Sequence, residues 1–215
     1  MTIDDQRQIC VRDKEVFNLY EFFRTRWSLH HRVYKHKTRA PIEDLLAKAF
    51  QVVDKIMRIS EAVNDMKRYT VLTDSIFYDI LRKKHWKNAV KKAQELIKCI
   101  QERKIYKFCC QSPPQSKENF PSKDEVASAL VELSKGQLKM EDIFVSIVWF
   151  DFGIKGKNPV DAVTFFNKSH KPVEIKVEEL TDLLPQNFHE IYVRVYAKQP
   201  EQRHLIEQCV KKFFS

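Results

Sequence analysis

Residues 13–37 read DKEVFNLYEFFRTRWSLHHRVYKHK, with no glycine or proline to interrupt them. Apolar and aromatic side chains recur at Val16, Leu19, Tyr20, Phe23, Trp27 and Tyr34, a spacing of three, four and seven. That spacing predicts one long amphipathic helix with a single buried stripe. Asp13 suits its start, the basic run Lys35, His36, Lys37 suits its C-terminal dipole, and Pro41 marks a stop. The remaining surface of the helix is rich in Arg, Lys and His, which by itself reads as a solvated basic face.

Outward from this stretch, the 215 residues permit one large domain or two small ones, and 43% hydrophobic residues can form a core. Only three glycines and 31% charged residues favour helix over sheet. The formal charge of +9 and a pI of about 9.2 point to an anionic partner. Five cysteines, odd in number and without a CxxC pair, argue against a disulfide framework and a zinc site. The expected location is therefore nucleus or cytoplasm. No apolar run approaches the ~18 residues of a membrane span, and MTIDDQRQ at the start is not a signal peptide.

In chain order, residues 1–9 look like a ragged lead-in. A second apolar helical face follows Pro41 at Ile42, Leu45, Leu46, Phe50 and Val53. Ser60–Tyr69 reads as a short helix. Thr73 or Asp74 caps the next, which turns Ile76, Phe77, Ile80 and Leu81 inward. His85–Arg103 is a further helix. Its outer face, with Arg82, Lys83, Lys84, Lys87, Lys91 and Lys92, is either solvated or a weak nucleic-acid patch. Only Trp86 interleaves, so no stacking platform is supported. Strands are expected at Ile105–Cys110, Phe144–Phe152, Val163–Phe166 and Ile191–Ala197, and helices at Val177–Leu184 and Glu201–Phe214. Residues 111–123, QSPPQSKENFPSK, are the linker candidate. The expected fold is mostly α over residues 1–110, followed by a small α+β lobe over residues 124–215.

Particular residues carry a resemblance. RDKEV-N-LY and TR-SLH-R-Y-HK within Arg12–Lys37, TD-IF-IL within Leu72–Leu81, and KNPVD at Lys157–Asp161 resemble the vertebrate deoxynucleoside triphosphate triphosphohydrolases that couple a SAM domain to an HD domain. The resemblance runs from about Ile9 onward and is to the C-terminal part of such a protein. It implies that residues 1–110 are the C-terminal half of an HD-type helical domain. The short lead to the central helix suggests a truncated gene model, a processed copy or a short paralogue. The family's connection between Gln51–Met57 and Ile59 is usually longer than here.

HD-type hydrolysis needs a metal held by histidines and aspartates around an HD dipeptide. This sequence has no HD dipeptide, and its seven histidines suggest no metal constellation. His30 and His31 are adjacent, so a helix turns them about 100° apart. The resemblance places the family's ligands upstream, so no catalytic residue, metal ligand or resident cofactor is expected in this chain; the family itself uses a divalent metal.

The resemblance also implies binding residues. Arg26 matches a contact to substrate phosphates and Tyr34 a contact to the sugar. Lys35 replaces a glutamine, exchanging an amide that donates and accepts for a donor-only cation. Arg12, Lys14, Asn18, His36, Lys37, Arg103, Lys107 and Lys157 match regulatory nucleotide positions, with GTP and deoxynucleoside triphosphates as activators. Taken singly, each lysine reads as solvent-exposed; it is the set in register that points to a site. Arg12 and Lys14 would flank a helix N-terminus suited to phosphate, and Arg103 and Lys107 would form an i,i+4 pair if the helix persisted. Phe17 stands where the family has glycine. The partners implied are GTP, deoxynucleotides and further copies or full-length relatives, with weak nucleic-acid binding as a further expectation. The alternative is a non-catalytic nucleotide- or nucleic-acid-binding paralogue or regulatory subunit. A helix deprived of its usual cover would leave Phe22, Phe23 or Trp27 exposed.

Overall fold

The computed structural model describes residues 2–3, 8–83, 88–115, 120–175, 185 and 187–214. The expected helix at 177–184, the lysines at 84 and 87, Trp86, and residues 116–119 of the linker candidate lie outside them. The chain is a helical part followed by a small α+β lobe.

The helical part opens with strands β1 (Thr2–Ile3) and β2 (Ile9–Arg12), where a ragged lead-in was expected. The central stretch is not one helix. A 3-10 turn at Asp13–Glu15 leads into α1 (Val16–Leu29), and His30–Tyr34 widens into a π turn that ends at Lys35. Asp13 does not cap α1; its carboxylate accepts from the backbone N–H of Lys14, at 2.8 Å. The stripe holds at Val16 and Tyr20, both buried, with Leu19, Phe23 and Trp27 half-buried beside them. Tyr34 leaves it, at 53% exposure, because the wider turn breaks the 3.6-residue register.

Helix α2 (Arg39–Met57) buries Leu45, Ala49 and Val53 on one face. It packs on α5 (Asn88–Gln101) through Val90, Ala93 and Ile97. Between them, Ser60–Asn64 is a 3-10 turn. Asp65 then caps α3 (Met66–Val71) by accepting from the N–H groups of Lys67 and Arg68, so the expected single helix is split. α4 (Ile76–Arg82) inserts Ile80 into the α2–α5 core.

Strand β3 (Lys107–Gln111) pairs antiparallel with β7 (Phe188–Ala197), which pairs in turn with β4 (Ile143–Gly156). Helices α6 (Lys123–Leu133) and α7 (Arg203–Phe214) cover one face of this sheet, meeting Val145, Val193 and Val195. The second sheet joins β2 in parallel to β5 (Thr164–Phe166), with β1 and β6 (Pro172–Val173) at its edges. Strand hydrogen bonds thus link residues before the linker candidate to residues after it in both sheets. α1 packs here, on Phe152, Val160 and Phe165.

β7 is buried on both faces from Ile191 to Ala197. Val193, Val195 and Ala197 meet the helices, while the alternate residues Tyr192, Arg194 and Tyr196 face the other way. That second face receives the turn after α1.

Candidate functional site

The turn at residues 35–38 is fastened from β7. Arg194 donates to the carbonyl of Lys35 at 2.5 Å, and Tyr196 to the carbonyl of Lys37 at 2.8 Å. These bonds end the central helix before Lys37 and turn the chain toward α2. The Lys37 ammonium then lies 5.0 Å from the centre of the Phe108 ring, a cation–π distance.

At the end of α5 the chain turns sharply. Arg103 takes a left-handed backbone, φ 57°, and the N–H of Lys104 reaches back to the carbonyl of Cys99 at 2.8 Å. The helical i,i+4 relation expected of Arg103 and Lys107 therefore does not exist, since α5 ends at Gln101 and Lys107 begins β3. The turn nevertheless brings both to the same place. Lys37, Arg103 and Lys107 line one cleft of about 550 Å³ with Ile42, Ile105, Phe108 and Tyr196. Tyr106 is fixed in its wall, its hydroxyl donating to Asp44 at 2.7 Å and accepting from Lys48 at 3.0 Å. No carboxylate lines the cleft among the described residues. Three cations beside an aromatic and aliphatic wall suit a ligand with phosphates at one end and a planar ring at the other.

The remaining regulatory candidates do not line this cleft. Arg12 pairs with Asp13 at 3.4 Å, Lys14 with Glu15 at 3.8 Å, and the Asn18 amide donates to Glu15 at 2.7 Å. Lys157 follows the end of β4, its N–H bonded to the carbonyl of Ile154. His36 meets the Thr38 hydroxyl through Nδ1 and faces a neighbouring, smaller cavity.

The substrate-side candidates are drawn toward β4. Arg26 donates to the carbonyl of Asp151 at 3.3 Å and stands 3.6 Å from its carboxylate. Lys35 donates to the carbonyl of Trp149, and desolvation lowers its ammonium pKa from the ordinary value. Tyr34 faces solvent with its ring 5.2 Å from that of His30. The cavity beside Tyr34 and His30 does not include Arg26. Desolvation first, then the charge of Arg26, lowers the pKa of His30. Phe17, at the family's glycine position, is exposed.

The residues that sequence reasoning missed are Arg194 and Tyr196. The alternation of IYVRVYA places both on one strand face, and an arginine inside an otherwise buried strand was the available signal. A divalent metal does not fit the residues described: no group of three or more His, Cys, Asp or Glu among them is placed to hold one. Nor is any helix among them long and apolar enough to cross a membrane.

No protein-family profile matches the chain. Individual proteins do. The chain is 37% identical to human deoxynucleoside triphosphate triphosphohydrolase SAMHD1 over 94% of its own length, which is 35% of that protein. It is 34% identical to the chicken protein of the same name, over 98% of the chain and 38% of the relative. A putative HD domain-containing protein of Acanthamoeba polyphaga mimivirus is 24% identical over 99% of the chain and 49% of its own length. The chain thus spans little more than a third of the human and chicken relatives. Along nearly all of its own length, then, it is similar to the SAMHD1 deoxynucleoside triphosphate triphosphohydrolases, as its Arg12–Lys37, Leu72–Leu81 and Lys157–Asp161 motifs imply.

Proposed function

We propose that the chain is the regulatory, nucleotide-binding and assembly portion of a deoxynucleoside triphosphate triphosphohydrolase-like protein, corresponding to the C-terminal part of its relatives. The observation that carries this reading is the cleft that gathers Lys37 from the turn after the central helix, Arg103 from the turn after α5 and Lys107 from the start of β3. The cations neutralise phosphate oxygens and the aliphatic and aromatic wall of Ile42, Ile105 and Tyr106 receives the base. Its ligands are GTP or a deoxynucleoside triphosphate. The name of the relatives states that they act on the latter.

The chain itself carries no hydrolytic centre in this reading. It has no HD dipeptide, and its described residues offer no ligand set for a metal. Arg26 and Lys35 are held by β4 carbonyls; in this reading they are the remaining half of a substrate pocket, without the groups that would activate water.

Arg12, Lys14 and Asn18 stand at the far end of α1 from the cleft and do not line it. A nucleotide that meets both sets therefore bridges two copies, one supplying the α1 start and the other the cleft. Ligand bound only by an assembly favours that assembly by mass action. Sedimentation velocity with and without GTP plus a deoxynucleotide tests this. A nucleotide-dependent shift, lost in Lys14→Ala and in Lys37→Ala and partly restored on mixing the two, is expected. A strict monomer at saturating nucleotide rules assembly out.

A further inference from the structure

We propose that a small tetrahedral oxyanion of the phosphate class binds in the cavity between the start of α2 and strand β4, held by Arg194 and Lys35. This cavity, about 220 Å³, shares no lining residue with the larger cleft and is lined by Lys35, His36, Arg39, Ser146, Trp149 and Arg194. It is smaller than the ~300–1,000 Å³ of sites for drug-sized ligands, so a whole nucleotide does not fit.

Its charge is unbalanced. Three cations, Lys35, Arg39 and Arg194, face one carboxylate, Glu43. That carboxylate is already taken by Arg39, at 2.7 Å. Arg194 is only 7% exposed, yet its hydrogen-bond acceptors are neutral: the Gln111 amide oxygen at 2.7 Å and the Lys35 carbonyl. Among the described residues no carboxylate pairs with it. A buried guanidinium without a counter-charge is costly to keep.

The Lys35 ammonium feels the Asp151 carboxylate, which is paired with Arg26, but has no ion pair of its own among the described residues. It too donates to a carbonyl, that of Trp149. Both cations lie within reach of one ring, 5.5 Å and 5.8 Å from the centre of Phe150. The Phe150 quadrupole attracts each cation but carries no net charge. An oxyanion between them supplies the missing charge, and the fork of a guanidinium matches its paired oxygens. Ser146, the register partner of Arg194 on the neighbouring strand β4, brings a hydroxyl as a further donor. Desolvation of Lys35 works in the same direction, since an ammonium stripped of water gains most from a close anion.

The site shares Lys35 with the substrate-side reading but no lining residue with the cleft of Lys37, Arg103 and Lys107, and stands or falls without that cleft. A calorimetric titration of the full chain with inorganic phosphate, in chloride buffer, tests it. Saturable binding is expected, weakened at least about tenfold in Lys35→Gln and in Arg194→Lys, and unchanged in Lys91→Ala, an exposed lysine on α5 that lines neither cavity. Lys35 is half-buried, so Lys35→Gln keeps the test open if Arg194→Lys does not fold; circular dichroism checks each variant. Absence of saturable binding overturns the proposal. So does binding that is lost in Lys107→Ala but kept in Lys35→Gln, because the phosphate then sits in the larger cleft. Adding GTP separates the two phosphate sources: a free-anion site keeps its phosphate, whereas competitive displacement shows that the cavity only receives a nucleotide's own phosphate and overturns an independent site.

Discussion

The Tyr196 hydroxyl donates to the carbonyl of Lys37 at 2.8 Å, across 159 positions of sequence. This bond ties the turn that follows the end of the helical stretch at Tyr34 to strand β7. Tyr196 is fully buried, so Tyr196→Phe leaves the Lys37 carbonyl short of a partner. A loss of about 1–3 kcal/mol in unfolding free energy is expected, together with weaker nucleotide binding. Chemical denaturation and a nucleotide titration of the same variant check both.

Alkaline stability follows from the same core. Burial pushes the Tyr196 phenol up to about 12, the Cys109 thiol up to about 12 and the Cys110 thiol up to about 11. In the unfolded chain these groups ionise near ~10 for the phenol and ~8.5 for the thiols. Each is neutral in both states at low pH, so its stabilising share is complete below the unfolded value. It is lost as pH rises toward the folded one, because the unfolded state ionises first. Urea midpoints should hold to about pH 8 and fall between about pH 9 and 12, with a shallower fall in Cys109→Ala. A midpoint unchanged across that window would contradict the assignment.

Arg26 tests how much of α1 depends on its contact with β4. The pair with Asp151 is 3.6 Å apart and partly exposed on both sides. Screening keeps such pairs within about 0–1 kcal/mol. Arg26→Ala is therefore expected to lower stability by less than about 1 kcal/mol and to leave the far-ultraviolet spectrum intact.

The outer side of the central stretch presents Phe22, Leu29 and Val33, the first at 63% exposure. These positions are seven and four residues apart and share one helical face. Phe23 and Trp27, also expected to be exposed, are half-buried against the second sheet. Phe22→Glu should reduce concentration-dependent light scattering with little change in unfolding midpoint. Equal scattering by variant and parent would show that this face does not drive association.

The helices were legible where local periodicity and tertiary packing agree. α2 and α5 bury the faces that their spacing marks. α6 went unread although Ser122 and Glu125 spell a capping box, which the structure forms in both directions. A proline- and serine-rich stretch masked it. The end of the central helix was not legible, because its cause lies on β7, in Arg194 and Tyr196, far away in sequence. The same holds for the site. Lys37, Arg103 and Lys107 were each named from the sequence, but the spacing argument for the last two fails where Arg103 turns left-handed. Their meeting in one cleft is a property of the fold.

Equilibrium titration of GTP and of a deoxynucleoside triphosphate into the purified chain tests that cleft most directly. Saturable binding is predicted, weakened at least about tenfold by Lys107→Ala and by Arg103→Ala, and unaltered by Lys91→Ala, a lysine on α5 that does not line the cleft. No nucleotide binding at all, or binding indifferent to Lys37, Arg103 and Lys107, would contradict it.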